Sequence, residues 1–189
     1  MAGSDPLRGE IIRRLRALNA LKAGALRVFD PMLTAVDGAR EQPELAEVAD
    51  LLKRMHGNFV SHREQTADHT GQLAVRIEEL GSRRARGRVA LVGIGAAVRA
   101  RIGTIGGMDF GAGARDAFVF EHLEIAQSQL IEQLATRADD TRTAELVAGI
   151  RAGDEEMAAV IGRNWTNVLS LALATRGLPV LRPEAASGS

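Results

Sequence analysis

Apolar residues recur at three- and four-residue spacing along most of the chain, the period of a helix with one buried face. Ile11, Leu15, Leu18, Ala25, Phe29, Met32 and Val36 make the first stripe, and Lys22 interrupts it. Asp5 is positioned to cap this helix, Pro6 suits its first position and Gly38 stands just past its end. The spacing predicts a helix of about eight turns, kinked where Pro31 removes a backbone donor.

A second stripe reads Leu52, Met55, Phe59, His62, Thr66, His69, Leu73, Ile77, Leu80 and predicts a helix over 43–80, with Gly81 as its left-handed stop. Gly57-Asn58 marks a point where its first turns can separate. A third helix is predicted over 115–136. A fourth opens at Asp139, Asp140 or Thr141 and runs through Ile150, Met157, Ile161, Trp165, Val168 and Ala172 to Gly177 and Pro179.

Between the second and third stripes the chain turns to small residues, among them Gly93, Gly95, Gly103, Gly106, Gly107, Gly111 and Gly113. Residues 89–102 read as a short helix and 103–113 as a connector. Gly93-Ile94-Gly95 hints at a phosphate cradle, but the strand, the third glycine and the Lys-Ser/Thr ending that such a loop needs are missing. No segment alternates as a strand would. The pattern therefore predicts an all-α protein: an antiparallel four-helix bundle over 1–177, with a small-residue-rich crossover helix between helices two and three and a mobile tail over 178–189.

Composition narrows the function classes. The 189 residues suit one domain with a substantial core. Lys plus Arg and Asp plus Glu number 24 each, so no net field draws nucleic acid or an anionic membrane. Without cysteine there is no disulfide, thiolate zinc site or iron–sulfur cluster, and without tyrosine no phenol ligand or radical. The start of the chain lacks the basic and apolar regions of a signal peptide, and residues 89–98 are half a membrane span. A bacterial-type cytoplasmic protein is expected. The arginines between Arg86 and Arg101 flank an apolar centre with no aromatic anchor, a poor membrane-surface helix.

The chemistry lies where the stripes turn polar. His62, Thr66 and His69 break the second helix, Glu121-His122-Leu123-Glu124 the third and Asp154 the fourth. Residues three apart share a helix face, so Glu121 and Glu124 project together from an otherwise apolar helix. Buried carboxylates need a partner. Inward carboxylates and histidines on facing helices are how bundle di-metal sites are built, and oxygen ligands with imidazole suit iron, manganese or zinc. Each residue also has a plainer role: His62 and His69 as hydrogen-bonded core histidines, Glu121 or Glu124 as a solvated helix residue, Asp154 as part of an exposed acidic turn with Glu155 and Glu156. The strongest competitor to a metal is a salt bridge. Lys22 and Arg76 also interrupt stripes, and either can pair with Glu121 or Asp154 and fill the centre.

With these motifs the chain resembles the YciF-type ferritin-like proteins, small cytosolic bundles linked to bacterial stress responses. Glu121-His122-Leu123-Glu124-Ile125-Ala126 is similar to that family's EHYEIA box; His62, Glu64, Thr66, Leu73 and Leu80-Gly81 are similar in spacing to its HxEETxxQxxxL segment. Ala144-Glu145-Leu146-Val147, leading to Asp154, is similar to its AAELL run. The resemblance covers residues 60–81 and 115–160. Ala25 stands where the family carries a helix-one glutamate, Gln65 where it carries the glutamate before Thr, and Leu123 for its tyrosine.

The resemblance implies a metal set of Glu64, His69, Glu121, Glu124 and Asp154 holding iron or manganese, with His69 substituting for a lost carboxylate. A complete di-iron set has about four carboxylates and two histidines, so this inventory is short. The expectation is an altered or vestigial metal site in a non-catalytic or weakly catalytic stress protein. The alternative is a metal-free structural bundle that dimerises through its first two helices, with Leu26, Val28 and Leu33 as contact surface. Four histidines scattered over helices, without a nucleophile elbow, offer no hydrolase triad.

Overall fold

The computed structural model describes residues 6–81 and 109–180. Among them the protein is all-helical: α1 (Pro6–Arg40), a 3-10 turn (Pro43–Val48), α2 (Ala49–Glu79), α3 (Phe110–Arg137), α4 (Thr141–Arg163) and α5 (Trp165–Ala174). The crossover expected over 89–102, the Asp5 cap and residues 181–189 lie outside the described residues. Of the expected tail, Leu178–Val180 is described, and Val180 packs against the core.

Several boundaries differ from the sequence reading, each for a local reason. α1 runs through Gly38 to Arg40, because nothing at Gly38 demands the left-handed backbone that makes glycine a stop, and it holds Pro31 within one continuous element. The second stripe divides at Val48, not at Gly57-Asn58: Pro43 opens a 3-10 turn that buries Leu45 and Val48 before the α-helix begins. α3 starts at Phe110 rather than 115, since the Asp109 side chain accepts a hydrogen bond from the Ala112 amide and caps the helix, taking Gly111 and Gly113 into its first turn. The fourth stripe is two helices broken at Asn164. Gly81 and Gly177 end α2 and the last helix at φ of 75° and 65°, as expected of such stops.

α1 packs along α2 and α3 along α4, with α1 also against α3 and α2 against α4. The core divides into two clusters, and their membership fixes how the chain runs. One holds Ala25 to Ala39 of α1, Phe59 of α2, Phe110 of α3, Met157 and Ile161 of α4 and Leu171 of α5. The other holds Ile11 to Leu18 of α1, Leu73 to Leu80, Ile131 and Ala135 of α3, and Val147 and Ile150 of α4. Each of α1 to α4 passes from one cluster to the other, so α1 and α2 are antiparallel, as are α3 and α4. α2 finishes beside the second cluster while α3 starts beside the first, so these two run in the same direction.

Between the clusters every long helix contributes polar residues: Lys22 between Leu18 and Ala25, His62 to His69 between Phe59 and Leu73, Glu121 to Ser128 before Ile131, and Asp154 between Ile150 and Met157. The interior is thus an apolar layer, a charged layer and a second apolar layer. Among the described residues no helix is long and apolar enough to cross a membrane.

Candidate metal centre

The charged layer is buried. Lys22 and Asp154 have no exposed surface, Glu124 is 1% exposed, and His62, Thr66, His69, Glu121 and Ser128 are all buried. Burying ionised groups costs several kcal/mol each unless they are paired, so the pairings are what allow this layer to exist.

Two pairings organise it. The Lys22 Nζ donates to Glu124 Oε2 at 2.8 Å and to Asp154 Oδ1, joining α1 to α3 and α4. His62 Nε2 lies 3.0 Å from Glu121 Oε1, joining α2 to α3. The His62 ring meets Phe29 edge-on, with centroids 5.5 Å apart, and its Nδ1 is 3.4 Å from Gln65 Oε1. Gln65 fits because position 153 is glycine: a Cβ there would come within 2.6 Å of Gln65 Nε2.

The layer sets three carboxylates, Glu121, Glu124 and Asp154, against one lysine and the imidazoles of His62 and His69. Burial opposes the Lys22 ammonium, but Glu124 and Asp154 together outweigh it and hold its pKa above the ordinary lysine value. One ammonium shared between two carboxylates does not restore both. Burial pushes Glu124 up to about 7, with Asp154 and Glu121 adding to the rise against the pull of Lys22, and Asp154 goes up to about 6. Burial works against a charged His62, yet its hydrogen bond to Glu121 and that carboxylate's charge raise its pKa. For His69, burial and the nearby Lys22 charge outweigh the opposing charge of Asp68 and lower the pKa to about 4, which keeps it neutral.

The unsatisfied atoms agree. Glu121 Oε2, Glu124 Oε1 and Asp154 Oδ2 are buried with no hydrogen-bond partner among the described residues, as are His69 Nδ1, Thr66 Oγ1 and Ser128 Oγ. Each of the three carboxylates spends one oxygen on a protein cation or imidazole and keeps the other bare. Such orphans are rare in folded interiors and call for an explanation. His62, Glu121 and Asp154 each offer a ligand atom within 4.8 Å of the others, a donor set of one imidazole and two carboxylates from three helices. Residues and bare oxygens together fit a divalent cation.

The fold brings together four of the five residues expected from sequence, His69, Glu121, Glu124 and Asp154. Glu64 is exposed on α2 and stands apart from the layer, because it is two residues beyond His62 and so on the helix's opposite side. Glu124 is taken by Lys22, and His69 is buried but outside the three-residue cluster. His62, set aside in the ligand inventory despite its place on the stripe, is the histidine that meets Glu121; the signal was its position seven residues before His69. The expected competitor is half present. Lys22 does fill part of the centre, with Glu124 rather than Glu121 as its second partner, whereas Arg76 binds Asp140, Thr143 and Glu79 near the α3–α4 turn.

The proposed dimer contacts Leu26, Val28 and Leu33 are half-buried, and Leu33 packs on the core. An open groove of about 300 Å³ lined by Gln72, Val75, Arg76, Glu79, Arg142 and Leu146 lies beside Arg76 and shares no residue with the charged layer. Comparison with protein-family models, with curated proteins and with solved structures finds no match to this chain.

Proposed function

We propose that this chain is a ferritin-like four-helix-bundle protein of the bacterial stress-response kind, whose carboxylate and histidine centre is altered to take a single divalent ion, iron or manganese. His62, Glu121 and Asp154 are the ligands. The observation that carries this reading is the set of bare, buried oxygens on Glu121, Glu124 and Asp154 in a layer where, among the described residues, Lys22 is the one lysine or arginine. Against three carboxylates the layer sets one lysine and the titratable imidazole of His62, so a divalent ion in place of the imidazole proton would add positive charge where the bare oxygens lie.

When bound, the ion supplies Lewis-acid and one-electron chemistry toward oxygen or peroxide. The protein's own part is separate from this. Ligation needs His62 as a neutral imidazole, and in the metal-free protein the raised His62 pKa and the Glu121 contact favour its protonated form. An ion held there would take the place of that proton on His62. Phe29 closes one side of that ring and Gln65 approaches its Nδ1, so the imidazole is held in orientation before any ion arrives.

A metal-free bundle is the second reading, favoured by the ammonium of Lys22 already standing between two of the carboxylates. The two readings separate on elemental analysis of protein purified without added metal, followed by titration with Fe²⁺ and Mn²⁺. One equivalent per chain, lost in Glu121→Gln and retained in Glu64→Ala, supports the metal site. Protein that ignores both ions supports the structural bundle.

A further inference from the structure

We infer that Lys22 is a built-in cation standing where a second metal ion would otherwise sit, and that it limits this centre to one ion. The inference rests on the metal reading above and concerns the number of ions rather than the presence of one.

Glu124 comes from α3 and Asp154 from α4, and one oxygen of each meets the same atom, the Lys22 Nζ from α1. Carboxylates from facing helices converging on a single positive centre is the arrangement by which a bundle binds a cation. Here that centre is covalently part of the chain. Lysine is almost never fully buried unless paired, and Lys22 has no exposed surface.

Asp154 links the lysine to the three-residue cluster. Its Oδ1 goes to Lys22, while its Oδ2 is bare and the residue also belongs to the cluster with His62 and Glu121. The layer thus has two adjacent positions for positive charge that share one carboxylate. The first, between Glu124 and Asp154, is filled by an ammonium. The second, among His62, Glu121 and Asp154, has ligand atoms and, among the described residues, no lysine or arginine of its own. An ammonium cannot be exchanged for a metal ion, so the first position is closed for as long as residue 22 is lysine.

Replacing Lys22 by glutamate removes the occupant and adds a carboxylate, lowering the charge of the layer by two units and leaving a vacancy that a divalent ion restores. Lys22→Met removes the charge alone and fills the space with an apolar chain of similar length. The full chain, wild type and both variants, is titrated with Mn²⁺, reading bound metal per chain by elemental analysis after desalting and the Mn²⁺-dependent change in melting temperature. One ion in wild type and two in Lys22→Glu, with a larger Mn²⁺ stabilisation of both variants than of wild type, is the expected result.

One ion in both wild type and Lys22→Glu, with equal Mn²⁺ stabilisation, overturns the role of Lys22 and leaves the metal reading intact. Two ions in wild type overturn it as well. No ion in wild type but one in Lys22→Glu overturns the metal reading and upholds the exclusion by Lys22; no ion in either overturns both. If Lys22→Glu is unfolded without metal, recovery of helical circular dichroism on adding Mn²⁺ supports the inference. If it stays unfolded, Lys22→Met decides, and a Mn²⁺ stabilisation no larger than that of wild type counts against the inference.

Discussion

The Lys22 ammonium on α1 and the Asp154 carboxylate on α4, 132 residues apart in sequence, are in direct contact with no exposed surface on either side chain. Because Glu124 takes the same ammonium, this contact ties three helices together at the middle of the interior. Removing Lys22 leaves two buried carboxylates without their cation. Lys22→Ala is expected to lower stability by about 3–5 kcal/mol, measured by urea denaturation at neutral pH. The loss should shrink in mild acid, where the carboxylates take up protons instead. A variant as stable as wild type at neutral pH would mean that the pairing contributes nothing.

The same groups set the pH dependence. Glu124 and Asp154 have folded pKa values of about 7 and about 6, above their ordinary 4.5 and 3.8, because burial disfavours their charge. A group raised in this way binds its proton more tightly when folded, so its contribution is complete below the unfolded pKa and is lost as pH rises through the folded one. The raised pKa of His62 acts in the same direction. His69, lowered from 6.5 to about 4, opposes them and costs stability as pH falls between those values. Three groups against one predict that metal-free protein melts at a higher temperature near about pH 5.5 than near about pH 8, and that Glu124→Gln flattens the slope. A melting temperature rising steadily over that range contradicts the assignment.

Gly153 tests how closely α4 must approach Gln65. Alanine there gains up to about 1 kcal/mol of helix propensity, but its Cβ would lie 2.6 Å from Gln65 Nε2 and must turn that flexible amide aside. Gly153→Ala is expected to stay within about 1 kcal/mol of wild type while changing the His62 pKa, since Gln65 is the group at its Nδ1. Imidazole NMR titration reads the second effect. Gly153→Leu has no such escape and is expected to cost about 1–3 kcal/mol by overpacking.

At the α3–α4 turn, Asp140 does two jobs. It accepts the Thr143 amide at 3.0 Å, capping α4, and receives Arg76 Nη2 at 2.6 Å. Asp140→Ala should cost about 1–2 kcal/mol, whereas Asp140→Asn keeps the Oδ1 cap and loses the charge of the Arg76 pair and the oxygen that accepts the Thr143 hydroxyl. Thermal melts of the two variants that coincide would show the cap to be unimportant.

Much of this protein was determined by sequence alone, because helical periodicity and capping are local. The four stripes, the Gly81 and Gly177 stops and a cap within Asp139 to Thr141, which the structure assigns to Asp140, could all be read from neighbouring residues. So could the polar interruptions at Lys22, His62, Thr66, His69, Glu121, Glu124 and Asp154, since a charge on an apolar stripe is visible without knowing what it faces. Boundaries followed less well where competing local signals met, as at Asp109, whose side-chain cap draws two glycines of an apparent connector into α3.

What only the tertiary structure decided is who meets whom. Register between helices sets Lys22 against Glu124 and Asp154 rather than Glu121, sends Arg76 to Asp140, and brings His62 instead of Glu64 to the carboxylates. A residue's own stripe says whether it points inward. Which residue waits there depends on the axial offset of a neighbouring helix, and that offset follows from the packing of the two apolar clusters on either side of the charged layer.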